Sequence, residues 1–256
     1  MKILNSDGRW NLHTHTKYCD GKDEPEALVR RAIELGFTKL GFSGHGYAPY
    51  DTDVCMSLEG TVQYRNEILK LKKKYRGQIR ILLGIEKDFY GEPDDFPYDF
   101  VIGSVHYLRK NGVYMCVEDT PERLIRQTEE LFGGDYRAVV EQYYDTAAQV
   151  VEKTGCDIVG HFDIVTKFNR GNRFFDEDSE WYRRTALRAL REAARNRPVF
   201  EINTGAMARG YMDRPYPARF LLDEIDRLDC PVLLSSDCHS AAMLDYGFET
   251  LRRTLG

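Results

Sequence analysis

IRILLGIE (residues 79–86) is a dense aliphatic run that ends on a carboxylate. Its density and its polar or glycine flanks predict a buried strand, and a carboxylate closing so apolar a run needs a partner. Six more runs share the design: WNLH (10–13), KLGFS (39–43), DFVIGSVH (99–106), DIVGH (157–161), VFEIN (199–203) and VLLSSD (232–237). Between them lie amphipathic helices. DEPEALVRRAIELG (23–36) opens on acidic residues and Pro25, closes on Gly36, and buries Leu28, Val29, Ala32 and Ile33. DSEWYRRTALRALREAARN (178–196), PARFLLDEIDRL (217–228) and stretches within 120–153 repeat the pattern. This alternation implies parallel strands joined by crossovers, in an open sheet or a closed barrel. The strand ends choose between them. His13, His45, Glu86, His106, His161, Asn203 and Asp237 each fall at or just past the C-terminal end of a predicted strand. A barrel gathers such ends into one ring, whereas a seven-stranded open sheet spreads them along an edge. The expected architecture is an α/β barrel of about seven strands.

At 256 residues the chain can bury a substantial core, and no tract of its 42 % apolar and 30 % charged composition is biased. A net charge of −5 argues against a nucleic-acid partner. The one basic cluster, KLKKKYRG (70–77), belongs to a helix whose apolar side is Tyr64, Ile68, Leu71 and Tyr75. No run approaches the roughly 18 apolar residues of a membrane helix, and MKILNSDGRW is too short and polar for a secretory signal. A cytoplasmic protein with no membrane partner is expected. The six cysteines form no C-x-x-C pair and are read as free thiols. Nothing in the sequence selects an oligomeric state.

His13 and His15 stand two residues apart, so on an extended strand both can address one ion; alone, they could equally be hydrogen-bonded residues at a barrel mouth. The other four histidines, His45, His106, His161 and His239, also lie beside strand ends, and Asp237 with His239 repeats the i, i+2 spacing. Imidazoles mixed with carboxylates suit a multinuclear transition-metal site.

With these residues in view, HTHTKYCDG, SGHG, GIE, GSVH, GHFD and SDCH together resemble the polymerase and histidinol phosphatase (PHP) superfamily. GHFDIVTKF (160–168), EINTGAMARG (201–210) and RPYP (214–217) are similar to its histidinol-phosphatase branch. The resemblance spans nearly the whole chain. It implies a single domain over 1–256, folded as a distorted (β/α)7 TIM-like barrel with the metal site at the C-terminal ends of the strands. It also implies two to three divalent ions (Zn, Mn or Fe). His13, His15, Glu86 and Asp237 would hold the first, and Glu86 would bridge to a second on His106 and His161. Asp20, His45 and His239 would hold a third. Asp20 stands where close relatives often carry histidine, and Asp-Gly is also a common turn pair.

The activity implied is hydrolysis of a small phosphorylated metabolite such as histidinol phosphate. Metal ions neutralise phosphoryl oxygens and lower the pKa of water from about 15.7 to roughly 7. The attacking hydroxide would be held by Glu86, His13, His15, His106, His161 and Asp237. Lys167 and Arg209 lie in loops over that face as candidate phosphate-binding cations, with Arg170 and Arg214 as competitors and solvated loop charge as the plainer reading. Asp88 and Asp163 either orient ligands or are ordinary loop carboxylates, and alternation points Cys238 away from the metals. The general acid for the leaving alcohol is unassigned. Two alternatives are another PHP phosphoesterase, acting on a nucleotide, phosphoprotein or other phosphomonoester, and a non-catalytic metal-binding module. Loss of ligands would mark the latter, and none is evident. An amidohydrolase-type deaminase departs at Glu86 and at the D-x-H ending, and no G-x-S-x-G elbow supports a serine hydrolase.

Overall fold

The computed structural model describes residues 1–255. Its strands are β1 (Trp10–Asn11), β2 (Lys39–Phe42), β3 (Arg80–Asp88), β4 (Phe100–Ser104), β5 (Tyr107–Lys110), β6 (Val113–Cys116), β7 (Ile158–Val159), β8 (Val199–Asn203) and β9 (Val232–Ser235). Seven pair in parallel in the order β1-β2-β3-β4-β7-β8-β9, while β5 and β6 form a separate antiparallel hairpin. The helices are α1 (Pro25–Glu34), α2 (Leu58–Lys74), α3 (Pro121–Phe132), α4 (Tyr136–Ala147), α5 (Val150–Thr154), α6 (Glu180–Ala193), α7 (Gly205–Ala208), α8 (Arg219–Arg227) and α9 (Phe248–Leu255). Local chemistry sets their ends. Ser57 caps α2 by accepting from the Gly60 N–H, and Thr120 caps α3 ahead of Pro121. Gly133 closes α3 in the left-handed conformation.

The sheet is a nearly closed barrel. Strands β9 and β1 approach through single bridges, Ile3 to Val232 and Thr14 to Cys238. The buried Asn5 fills this seam. Its side chain accepts from the Leu234 N–H at 2.7 Å and donates to the carbonyls of Leu234 (2.8 Å) and Trp10 (2.9 Å). One amide therefore supplies the bonds that a missing ladder would have made.

Alternation along β3 explains the quoted run. Ile81, Leu83 and Ile85 join the outer core beneath the helices, while Leu82, Gly84 and Glu86 look inward. The barrel floor is Leu12, Phe100, Ile102, Ile158 and Leu233. A Cβ on Gly84 would stand 2.3 Å from the Phe100 ring, and one on Gly41 2.8 Å, so both glycines make room for it. Burying that ring contributes roughly 1.5–3 kcal/mol. Above the floor the inward positions turn polar.

β1 and β7 keep only two residues each of the runs predicted from the sequence. β1 stops at Asn11 because the His13 N–H turns to the Asn11 side chain (3.0 Å) and the Thr14 N–H to Ser43 (3.1 Å). β7 stops at Val159 because Glu201 captures the His161 N–H at 3.1 Å. The β5–β6 hairpin is absent from the sequence-based reading. Asn111-Gly112, with φ of 51° and 82°, forms its two-residue turn, the chemistry that such a turn requires. Among the described residues no helix is long and apolar enough to cross a membrane.

Candidate metal centre

The strand ends bring all nine predicted ligand side chains into one cluster. Glu86 lies at its centre. Its Oε2 is 3.2 Å from His13 Nε2, 3.0 Å from His45 Nδ1 and 3.6 Å from His15 Nε2. Its Oε1 is 3.1 Å from His161 Nε2 and 3.3 Å from His106 Nε2, and accepts from Ser104 Oγ at 2.6 Å. Asp237 Oδ1 stands 3.1 Å from His15 Nε2. At the more open edge, Asp20 Oδ2 is 2.9 Å from His239 Nε2, while its Oδ1 is 3.4 Å from His15 Nδ1 and 3.7 Å from His45 Nε2.

Ligand atoms within 4.8 Å of one another form four overlapping groups. These are His13/His15/Asp237, His13/Glu86/His161, His45/Glu86/His106 and His15/Asp20/His45/His239. The grouping differs from the division that the resemblance implies: His15 also joins the open group, His13 also joins Glu86 and His161, and His106 groups with His45 and Glu86 apart from His161. For His15 the cause is local: it stacks on His239 with ring centroids 4.2 Å apart and sits 4.4 Å from His45.

The donor set fits divalent ions. His13 Nε2 and His15 Nε2 lie 3.2 and 3.6 Å from Glu86 Oε2, and all three atoms are buried with no hydrogen-bond partner. Such atoms are costly unless something satisfies them, and bare imidazole nitrogens facing a carboxylate are what a divalent transition ion satisfies. The charges agree. Burial would raise the Glu86 carboxyl, yet His13, His45 and His106 hold it well below the usual range. Burial would likewise raise Asp237, which His13 and Arg209 hold well below, and Asp20, which His45 and His239 keep depressed. His15 falls to about 4 through burial and its neighbours His239 and His45. Burial would lower His13 too, but Glu201, Glu86 and Asp237 raise it well above the ordinary value. Asp237 also adopts a left-handed backbone, φ 48°, a conformation that Asp tolerates better than most residues and that costs of order 1–3 kcal/mol.

Asp20, His45, His106, His161, Asp237 and His239 line a cleft of about 770 Å³ together with both predicted cations, above the buried His13, His15 and Glu86. Arg209 donates to the Asp237 carbonyl (3.3 Å) and to Asp237 Oδ2 (3.2 Å), and its Nη1 is 3.1 Å from His239 Nδ1. Lys167 is largely buried and donates to the Glu118 carbonyl (2.8 Å) and Oε2 (3.0 Å). The competitors point elsewhere: Arg170 pairs with exposed Asp213, and Arg214 is held by Asp163 and Glu177. Asp163 therefore anchors a loop and not a ligand. Asp88 does orient a predicted ligand, accepting the His106 N–H at 2.8 Å with its Oδ2 3.4 Å from His106 Nδ1. Cys238 is buried in the outer core.

Two residues escaped the sequence reading. Glu118 follows β6 and sets its Oε1 3.4 Å from His106 Nε2. Burial would raise its carboxyl, but Lys167, His106, His161 and Arg209 bring it down to about 2. Glu201, on β8, places Oε1 2.7 Å from His13 Nδ1. Its signal was present, since a carboxylate inside VFEIN calls for a partner just as Glu86 does.

Residues 11–205 match the PHP domain family. The histidinol-phosphatase of Bacillus subtilis (strain 168) is 30% identical over 260 residues, covering 93% of this chain and 96% of that protein. Among solved structures, hisK from Listeria monocytogenes superposes with a TM-score of 0.80 at 20% identity, over 94% of this chain and 99% of that one. The histidinol phosphate phosphatase of Lactococcus lactis, solved with zinc, L-histidinol and phosphate, gives a TM-score of 0.70 at 23% identity, over 97% and 94%.

Proposed function

The chain belongs to the PHP domain family, and from that premise we propose that it is a metal-dependent phosphomonoesterase, a histidinol-phosphate phosphatase. One observation carries the reading: His13 Nε2, His15 Nε2 and Glu86 Oε2 converge, buried and unpartnered, among His45, His106, His161 and Asp237, which line a cleft together with Arg209 and Lys167. Bound divalent ions supply Lewis acidity, which neutralises phosphoryl oxygens and acidifies water. We assign two to three ions of zinc, manganese or iron to His13, His15, Asp20, His45, Glu86, His106, His161, Asp237 and His239. The third belongs to the open group around Asp20.

The chain's own groups do the rest. Glu86 offers one oxygen to each half of the cluster, with Ser104 fixing Oε1 and Asp88 fixing the His106 backbone. Arg209 presents its guanidinium fork to the phosphoryl oxygens, with Lys167 adding charge behind Glu118. The ionised Glu118 favours a substrate that carries a cation beside its phosphate, as amine-bearing histidinol phosphate does. The absence of a basic excess supports a small metabolite over a nucleic acid. We place the activity in histidine biosynthesis in the cytoplasm, within one barrel domain over 1–256, whose final Gly256 lies outside the described residues.

The test is phosphate release by metal-replete protein from histidinol phosphate, nucleoside monophosphates and a short oligonucleotide, with metal content measured on the same preparation. Histidinol phosphate should be the best substrate. Chelation should abolish turnover, and His13→Ala or Glu86→Ala should lower it by about three orders of magnitude. Fully metallated protein that releases phosphate from none of them refutes the reading.

A further inference from the structure

We propose that Glu201 is a positioning residue that prepares two of the metal positions at once and leaves the third alone. The inference rests on the metal-dependent reading above and goes beyond it, because Glu201 lies outside the nine ligands.

Glu201 is 1 % exposed, on the inward face of β8. Its Oε2 accepts from the His161 N–H at 3.1 Å and from Asn203 Nδ2 at 3.1 Å. Its Oε1 stands 2.7 Å from His13 Nδ1. An ionised carboxylate only accepts, so the short contact requires the proton on His13 Nδ1. In the neutral ring that a metal ion would bind, a proton on Nδ1 leaves the lone pair on His13 Nε2, the buried nitrogen that has no hydrogen-bond partner and lies 3.2 Å from Glu86 Oε2. The same carboxylate draws the His161 backbone out of the ladder, and His161 Nε2 then lies 3.1 Å from Glu86 Oε1. One residue thus fixes the tautomer of one ligand and the main-chain path of another. Residues that accept the distal imidazole N–H of a ligand typically govern metal affinity by about 10–100-fold. The open group of His15, Asp20, His45 and His239 contains neither His13 nor His161.

Stepwise competition of zinc against a chromophoric chelator, on wild type, Glu201→Ala and Glu201→Gln, tests this directly. Nitrogen NMR of the metal-free proteins, recorded at a pH above the His13 titration, reads the tautomer of its neutral ring. Two zinc ions should bind about 10–100-fold more weakly in both variants, with the third within about twofold. The His13 proton should lie on Nδ1 in wild type and shift toward Nε2 in Glu201→Ala. The isosteric glutamine, checked by circular dichroism, keeps the test valid should the alanine variant not fold. Unchanged affinities, equal weakening of all three ions, or an unmoved tautomer in folded variants overturns the proposal while the metal reading stands. Wild type that binds no zinc refutes the metal reading, and the proposal with it.

Discussion

A carboxylate directly above the apolar barrel floor is costly unless cations or donors meet it, and Glu86 meets five imidazoles within 4 Å. The same chemistry separates the two candidate phosphate readers. Lys167 is spent on Glu118, whereas the Arg209 fork is anchored to Asp237 along one side and still lines the cleft. Arg209→Ala should raise KM for a phosphomonoester by about tenfold or more, the worth of a charge-assisted hydrogen bond. Arg209→Lys should recover only part of that loss, because an ammonium has no fork. Steady-state kinetics on the three proteins measures it, and an unchanged KM would confine Arg209 to holding Asp237.

Elements deliver what single residues cannot. Six of the nine proposed ligand residues were legible as histidines beside predicted strand ends, and Glu86 and Asp237 as carboxylates closing apolar runs. Glu118 was not, because its approach depends on where the β5–β6 hairpin lies, although Asn111-Gly112 announced the turn itself. The shortening of β1 and β7 was hidden for a related reason. It arises from side chains, Asn11 and Glu201, that take over backbone donors, and hydrophobic periodicity carries no record of that. The division of ligands was hidden too, since the stacking of His15 on His239 is set by the meeting of β1 and β9. Between helices the tie is electrostatic: Glu224 on α8 accepts from Arg227 at 2.7 Å and from Arg191 on α6 at 2.6 Å. The Arg227 hydrogen bond is the largest influence on its carboxyl, which falls from 4.5 to about 2. A depressed carboxyl stabilises fully above its unfolded value and loses that contribution as the pH falls through the folded one. The thermal midpoint of metal-free protein should therefore fall between about pH 4.5 and 2, and fall less steeply in Glu224→Gln. Parallel slopes for the two proteins would remove Glu224 from the account.

At the scale of the molecule, one side-chain amide joins the bridges at Ile3 and Thr14 in closing the barrel. Asn5→Ala removes the amide that both the Leu234 N–H and the Leu234 carbonyl bond at the β9–β1 seam. The loss should be about 1–3 kcal/mol, read as a lower midpoint in chemical denaturation with metal content unchanged. A midpoint equal to wild type would show that the single bridges at Ile3 and Thr14 hold the seam unaided. The aromatic plug beneath the ligands has a different bearing. Phe100, seated on Gly41 and Gly84, stops the barrel like a cork, so the cleft is a cul-de-sac. On the proposed reaction, no ester, alcohol or inorganic phosphate can leave through the barrel floor, so substrate must enter and product must depart on the cleft side.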